Sequence, residues 1–139
     1  MAALTNYTEN KLIDHIFRTT KWTPTGLIYI GLATAITDAG NEALTITEVI
    51  GGSYARVARN PLDANWDAPV NNNGTTANTA SIQFPTATAD WGTVTHFVIY
   101  EAASAGNALI YSALTNARTI TNGTTPSFAI GALTFRIDD

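Results

Sequence analysis

The chain contains no cysteine, which excludes disulfide bonds and thiolate metal sites together. Charge is also scarce, because charged residues make up only 13% of the sequence, against about 25% in an average domain. Threonine, asparagine, serine and alanine stand in their place. A surface with so little charge suits contact with other proteins, or with a particle, better than free diffusion as a monomer.

Basic patches and long apolar runs are missing as well. The seven lysines and arginines are spread singly along a chain of net charge −4, so nucleic-acid binding is not expected. No run approaches the roughly 18 apolar residues of a membrane span, and the N-terminus has no apolar leader. We therefore expect synthesis in the cytoplasm and no membrane partner.

Residues suited to catalysis or metal binding are few. The two histidines, His15 and His96, lie far apart in the sequence and form no metal-ligand spacing. Neither is paired with a nucleophile and an orienting carboxylate in a recognisable pattern. We expect no catalytic residue, no metal and no cofactor, and hence a protein that is not an enzyme.

The clearest structural pattern is a β-hairpin between Thr93 and Leu114. Two runs rich in β-branched and aromatic residues, 95–100 and 109–113, flank a segment of small residues, 102–107. The first run is apolar on both faces, which predicts a strand buried on both sides at the centre of a sandwich.

Further short strands are predicted along the chain. They are expected at 27–33, 54–59, 81–84, 118–121, 127–130 and 133–137, and the last two are expected to pair with each other. Residues 34–53 are interpreted as loop. About eight short strands with frequent turns predict an all-β fold, a jelly-roll-like β-sandwich that forms a single domain over residues 1–139.

One short N-terminal helix is predicted over residues 5–18. Asn6 is the expected N-cap, and Glu9 follows three residues later as a capping box requires. An apolar stripe runs along this helix and consists of Leu12, Ile13, Ile16 and Phe17. One interpretation is that the helix covers an open end of the β core, and the other is that it docks on a partner subunit.

Candidate interface residues come from the strand 54–59 and the long polar loop 60–79 after it. Neither face of that strand is wholly apolar, and loops of such length are usually functional or held by a partner. Aromatic and arginine side chains carry most interface energy, which nominates Tyr54, Arg56, Arg59 and Trp66, with Tyr7 and the helix face as second choice. The competing interpretation places Tyr54 and Trp66 in the core.

Several segments together resemble a family. The segments LTNYTENKLIDHIFRTT, GGSYARVAR, ANWDAP and FPTATADWGTVTHFVIYEAASAGNALIYSAL are similar to those of small virion proteins of tailed bacteriophages. Proteins of this group are often labelled phage tail fibre proteins. The resemblance extends from Leu4 to Leu133 and is weakest over residues 34–50.

The resemblance implies binding rather than catalysis. Members of the group resemble capsid cement, or decoration, proteins, which are jelly rolls that bridge major capsid subunits on the outside of the phage head. It therefore implies the major capsid protein as a partner, a homodimer rather than a trimer, and a place on the capsid exterior. The alternative is a tail fibre or baseplate component with a host-attachment role, which could bind glycans through Trp66 or Trp91.

Overall fold

A computed structural model describes residues 2–24, 26–38, 44–62, 64–69 and 74–137. One helix, α1, spans Asn6–Phe17. Ten strands are present in this part of the chain, two more than the eight expected from the sequence. They are β1 (Ala2–Leu4), β2 (Ile28–Thr37), β3 (Thr45–Glu48), β4 (Val57–Arg59), β5 (Thr75–Ala77), β6 (Ile82–Gln83), β7 (Gly92–Tyr100), β8 (Ala108–Ile120), β9 (Ser127–Phe128) and β10 (Thr134–Arg136).

The largest sheet has six antiparallel strands. Its order is β1-β8-β7-β2-β3, and β4 pairs with β2 beside β3. The predicted central hairpin is confirmed as the β7–β8 pair, in which Val98 lies opposite Tyr111 and Ile99 opposite Ile110. The second strand of that hairpin is longer than expected, because β8 continues through the segment predicted as a separate strand at 118–121.

Strand β7 is buried on both faces, as its sequence predicts. Phe97 and Ile99 belong to the main core, whereas Val98 and Tyr100 belong to a second cluster together with Ala33. The main core also contains side chains from outside this sheet, including Ile82, Phe84, Leu133 and Phe135. Because period-2 alternation sends successive side chains to opposite faces, one strand serves both clusters.

The second layer consists of two short two-stranded sheets, one of β5 and β10 and the other of β6 and β9. The predicted pairing of 127–130 with 133–137 is therefore wrong. The two segments pair with β6 and β5 instead, and Asn78 fixes the crossing by donating its side-chain amide to Ala80 O and Ala129 O and accepting from Leu133 N–H. Turn patterns indicate where strands end, but they do not specify long-range partners.

Two further expectations need correction. Residues 34–53 are not all loop, because β2 continues to Thr37 and β3 follows at Thr45–Glu48. The strand expected at 54–59 is shorter, since only Val57–Arg59 pairs with β2.

Tyr54 fills the gap between β3 and β4 along the edge of β2. Its hydroxyl accepts a hydrogen bond from Leu32 N–H at 2.8 Å and donates one to Glu48 Oε1 at 2.8 Å. Its ring stacks on Phe84 and meets Trp91 edge-on. The side chain thus satisfies a backbone donor that neither neighbouring strand reaches.

These layers bear out the predicted class: the chain is an all-β, sandwich-like fold with one short N-terminal helix. The main sheet forms one layer, and the two small sheets pack against its inner face.

Candidate interaction surface

The first half of α1 is fixed to the main sheet by threonine hydroxyls. Thr5, not Asn6, is the N-cap: its hydroxyl accepts from Thr8 N–H and donates to Ala108 O at 2.7 Å. The Thr8 hydroxyl is buried and donates to Leu109 O at 2.8 Å. Strand β1 pairs with β8 just before the cap, so the chain enters the helix in a position set by the sheet.

The second half of α1 leaves three apolar side chains in solvent, whereas Leu12, the fourth residue of the predicted stripe, is half-buried. Ile13 is 53% exposed, Ile16 64% and Phe17 79%. We call these three residues the helix stripe. The interpretation that the helix covers an end of the β core therefore holds for its first half alone, in which Tyr7 packs against the core and Thr8 is buried.

The C-terminal end of α1 is held in place, although the helix stripe is exposed to solvent. Arg18 forms an ion pair with Asp14 at 3.0 Å, and Lys21 Nζ donates to His15 O. The backbone N–H of Trp22 donates to His15 Nδ1, and the Trp22 ring packs against the main core. The helix stripe is thus presented at a defined place on the surface, as a preorganised contact requires.

An apolar cleft of about 390 Å³ lies between the loop after β4 and the second layer. It is lined mainly by aliphatic and aromatic side chains, among them Ile28, Trp66, Ile110, Phe135 and Ile137. At its rim, Ile137 is 60% exposed. Apolar concavities of this volume are typical of binding sites.

A second cleft, of about 280 Å³, continues the first toward the helix. It shares Ile110, Phe135 and Ile137 with the apolar cleft and is bordered on its far side by β1 and by Glu9 of α1. Ile13 and Ile16 lie on the same side of α1 as Glu9, four and seven residues further along. The smaller cleft thus borders the side of α1 that carries Ile13 and Ile16, and we call the two clefts and the helix stripe together the groove face.

Tyr54 and Arg56, both nominated from the sequence, meet at the carboxylate of Glu48. The Arg56 side chain is 7% exposed and binds Glu48 through Nε at 2.7 Å and through a terminal nitrogen at 2.6 Å. The guanidinium also stacks on the ring of Tyr100, 3.3 Å from its centroid. The polar groups of Tyr54 and Arg56 are satisfied inside the molecule.

Burial and pairing act in opposite directions on this cluster. Burial raises the pKa of the Glu48 carboxyl, but the hydrogen bonds from Arg56 and Tyr54 outweigh it and hold the pKa below its ordinary value. Burial raises the pKa of Tyr100 to about 12. Burial also raises the pKa of Tyr54 far above that of a free tyrosine. At neutral pH the cluster therefore consists of the ion pair between Arg56 and Glu48 and the uncharged hydroxyls of Tyr54 and Tyr100.

Gly31 and the loop after β7 complete this cluster. A side chain at Gly31 would lie 2.8 Å from the Tyr100 ring, so only glycine allows the ring to approach β2. Arg56 donates two further hydrogen bonds to the carbonyls of Ala102 and Ala105, and Ala105 has a positive φ of 51°. The arrangement ties the loop between β7 and β8 to the sheet.

The other nominated residues lie apart from that cluster. The Tyr7 hydroxyl donates to Glu101 Oε2 at 3.1 Å. Arg59 donates to Ser81 O, and Trp66 donates its indole N–H to Asn60 O while its ring packs on Phe135. Of the five residues nominated by number, only Trp66 lines either cleft. Their interface role stays a prediction.

The groove face was only partly foreseen. The helix face was a second choice in the sequence, while Ile110, Phe135 and Ile137 were assigned to strands and not considered for binding. No local pattern could have shown the cleft, because β5 and β10, which flank it, are separated by more than fifty residues. One feature of the helix sequence did indicate an exposed apolar surface: the apolar stripe extends to Phe17, the last residue of α1.

Titratable groups form no further constellation in the described residues. His96 bonds Thr95 through Nδ1 at 2.7 Å, and burial lowers its pKa. Over the described ranges, no group of three histidine, aspartate or glutamate side chains is placed to hold a metal ion. In the same part of the chain, no helix has the length and apolar character needed to cross a bilayer.

Comparison with known proteins gives one finding. A family model described as podophage GP4 fiber I protein gp80 matches residues 3–136, nearly the whole chain. A search of curated proteins finds no match.

Proposed function

The chain belongs to the podophage GP4 fiber I protein gp80 family and is a phage virion structural protein, and from that premise we propose that it is a non-catalytic subunit of a virion fibre. It would be held in the particle by a protein contact made through the helix stripe. The observation that carries this proposal is the exposure of Ile13, Ile16 and Phe17 on a helix that is anchored at both ends.

The energy available from the helix stripe is large for so few residues. Fully burying an isoleucine or phenylalanine side chain stabilises by about 1.5–3 kcal/mol, so covering the exposed two-thirds of three such side chains contributes about 3–6 kcal/mol before association entropy. Soluble monomers rarely expose such a cluster without a function. An assembly contact accounts for it.

A capsid cement role is the second candidate. In its favour, the helix is only 12 residues long and the longest described strand has 13 residues, so the described residues contain no elongated shaft. In this role the helix stripe would dock on the major capsid protein at the head surface. The family description, which names a fibre protein, favours the fibre role.

Glycan binding through Trp91 has less support. The Trp91 side chain is 5% exposed, its indole N–H donates to Gly52 O, and its ring packs against Tyr54. Sugar rings stack on an open aromatic face, which Trp91 does not offer. We therefore base the proposal on a protein partner.

Labelled virions distinguish the two structural roles. The protein would carry a small C-terminal tag, tagged virions would be imaged by electron microscopy with gold-labelled antibody, and the copy number would be measured against the major capsid protein. We expect label on projecting appendages and copies far below those of the capsid protein. Label spread evenly over the head at near-equal copy number would replace the fibre role with the cement role, and absence from purified particles would overturn both.

A further inference from the structure

The groove face has the properties of a surface that pairs with itself. It contains a projecting apolar element, the helix stripe, and a receiving apolar cleft lined by Trp66, Phe135 and Ile137. The smaller cleft adjoins the larger one and is bordered by Glu9, which lies on the same side of α1 as Ile13 and Ile16. A two-fold dimer requires one patch that is complementary to its own copy. A projecting apolar element and a receiving apolar cleft on one face meet that requirement.

We infer that two copies of this chain associate through their groove faces, each inserting its helix stripe into the apolar cleft of the other. The inference rests on the proposed use of the helix stripe as an assembly contact and names its partner. The apolar lining of the cleft matches the chemistry of the isoleucines and phenylalanine of the stripe.

The area to be covered favours a reciprocal exchange over a single contact. From their exposed fractions, the three side chains of the stripe present about 300 Å² of apolar surface. One stripe in one cleft would remove about 600 Å² from water, counting both partners, which falls below the roughly 1,200 Å² of a stable interface. Two such contacts related by a two-fold axis reach that range, whereas a head-to-tail chain or ring has only one per junction.

Charge does not oppose this arrangement. The helix stripe consists of neutral residues, and the described residues that line the larger cleft include no charged side chain. The two charged residues that border the smaller cleft, Glu9 and Arg136, are of opposite sign. Among the described residues, close approach of two copies therefore brings no like charges together at the centre of the contact.

Sedimentation equilibrium of the full chain tests the inference directly. We expect the native protein to be a dimer at micromolar concentration. Ile16→Gln with Phe17→Gln, and separately Ile137→Lys in the cleft rim, should each raise the dissociation constant at least a hundredfold. The matched control is Ile130→Lys, since Ile130 is 70% exposed and does not line either cleft. A native monomer, or a dimer unaffected by the stripe and cleft variants, would overturn the inference.

Cross-linking identifies which surfaces meet. Because the chain has no cysteine, single cysteines can be introduced without background. Differently tagged chains carrying Ile16→Cys and Ile137→Cys would be co-expressed and treated with a flexible bismaleimide, and we expect a cross-linked heterodimer. The pair Ile50→Cys with Ile137→Cys is the control and should give none. Cross-links between two Ile16→Cys chains, in place of the mixed pair, would contradict the exchange.

The result that overturns the exchange between two copies differs from the result that overturns the proposed function. If the protein is a monomer in solution but the stripe variants still lose their place in the virion, the partner of the stripe is another virion protein. The self-exchange is then overturned and the structural role in the particle stands.

Discussion

At the scale of single residues, Arg56 holds more of the molecule together than any other charged side chain described. It pairs with Glu48, stacks on Tyr100 and donates to two carbonyls of the loop between β7 and β8. The Arg56 side chain is only 7% exposed, and Glu48 is half-buried beside it. Loss of the guanidinium would therefore leave the Glu48 carboxylate without its charge partner.

Replacing Arg56 should therefore destabilise the fold. We expect Arg56→Met to lower the free energy of unfolding by about 3 kcal/mol, the lower end of the range for breaking a buried ion pair, since Glu48 keeps some contact with water. Urea unfolding followed by tryptophan fluorescence measures the change. Arg118→Met, at an exposed arginine of β8, is the control and should change stability by less than about 0.5 kcal/mol. Equal stability of the two variants would contradict the account.

The Glu48 carboxyl also predicts a dependence of stability on pH. Its pKa in the folded protein lies below the ordinary value of 4.5, so its contribution is fully present above that pH and is lost as pH falls through the folded pKa. Glu101 acts in the same direction: burial raises its pKa, but hydrogen bonds from Asn107 outweigh that effect and lower it.

Urea unfolding at pH 6 and pH 3 measures this dependence. We expect the native protein to lose stability between the two, and Glu48→Gln to lose less, because the variant has no proton to gain at that position. A variant that loses as much stability as the native protein would show that Glu48 does not carry the effect.

At the scale of elements, the N-terminal helix depends on two threonines more than on its own sequence. Twelve residues are too few for a stable isolated helix, so its position follows from the bonds of Thr5 and Thr8 to the first two residues of β8.

Removing one hydroxyl should cost measurable stability without changing side-chain volume. Thr8→Val removes the hydroxyl hydrogen bond to Leu109 O, which keeps its bond from Thr5 N–H, and we expect a loss of about 0.5–1.5 kcal/mol, together with faster hydrogen exchange in the helix. Thr115→Val, at an exposed position of β8, is the matched control and should be neutral. Unchanged exchange rates in the Thr8 variant would contradict this anchoring role.

Substitutions in the helix stripe, in contrast to Thr8→Val, should leave the stability of the monomer nearly unchanged. Ile16→Gln with Phe17→Gln removes apolar groups that are already in solvent, so we expect the free energy of unfolding of the isolated monomer to change by less than about 0.5 kcal/mol. Thermal unfolding at protein concentrations below the dissociation constant measures it. A large loss of stability would show that the stripe packs within its own chain.

Sequence reasoning succeeded for elements whose pattern is local. The β7–β8 hairpin, the helix and the all-β class follow from periodicity and turn residues. It failed where a long-range partner decides: Thr5 caps because Ala108 O lies beside it, and β9 and β10 separate because Asn78 reaches between them. The core placement of Tyr54 depends on a gap in a sheet edge that no window of sequence contains.

At the scale of the whole molecule, the β-sandwich forms the body of the protein, and the groove face is the surface of the proposed contact. The main sheet and the two small sheets enclose the core, and the N-terminal helix extends from one edge with its apolar side chains uncovered. Membership of a family of phage fibre proteins accords with the protein contact that we propose for the groove face.

The most direct test of the central claim is the amount of this protein in purified phage particles. A phage lacking the gene would be grown on cells that supply the native chain, the Ile16→Gln and Phe17→Gln double variant, or the control Ile130→Gln. Quantitative mass spectrometry would measure copies per particle. The account predicts native levels for the control and at least a tenfold loss for the stripe variant. Equal incorporation of all three would contradict it.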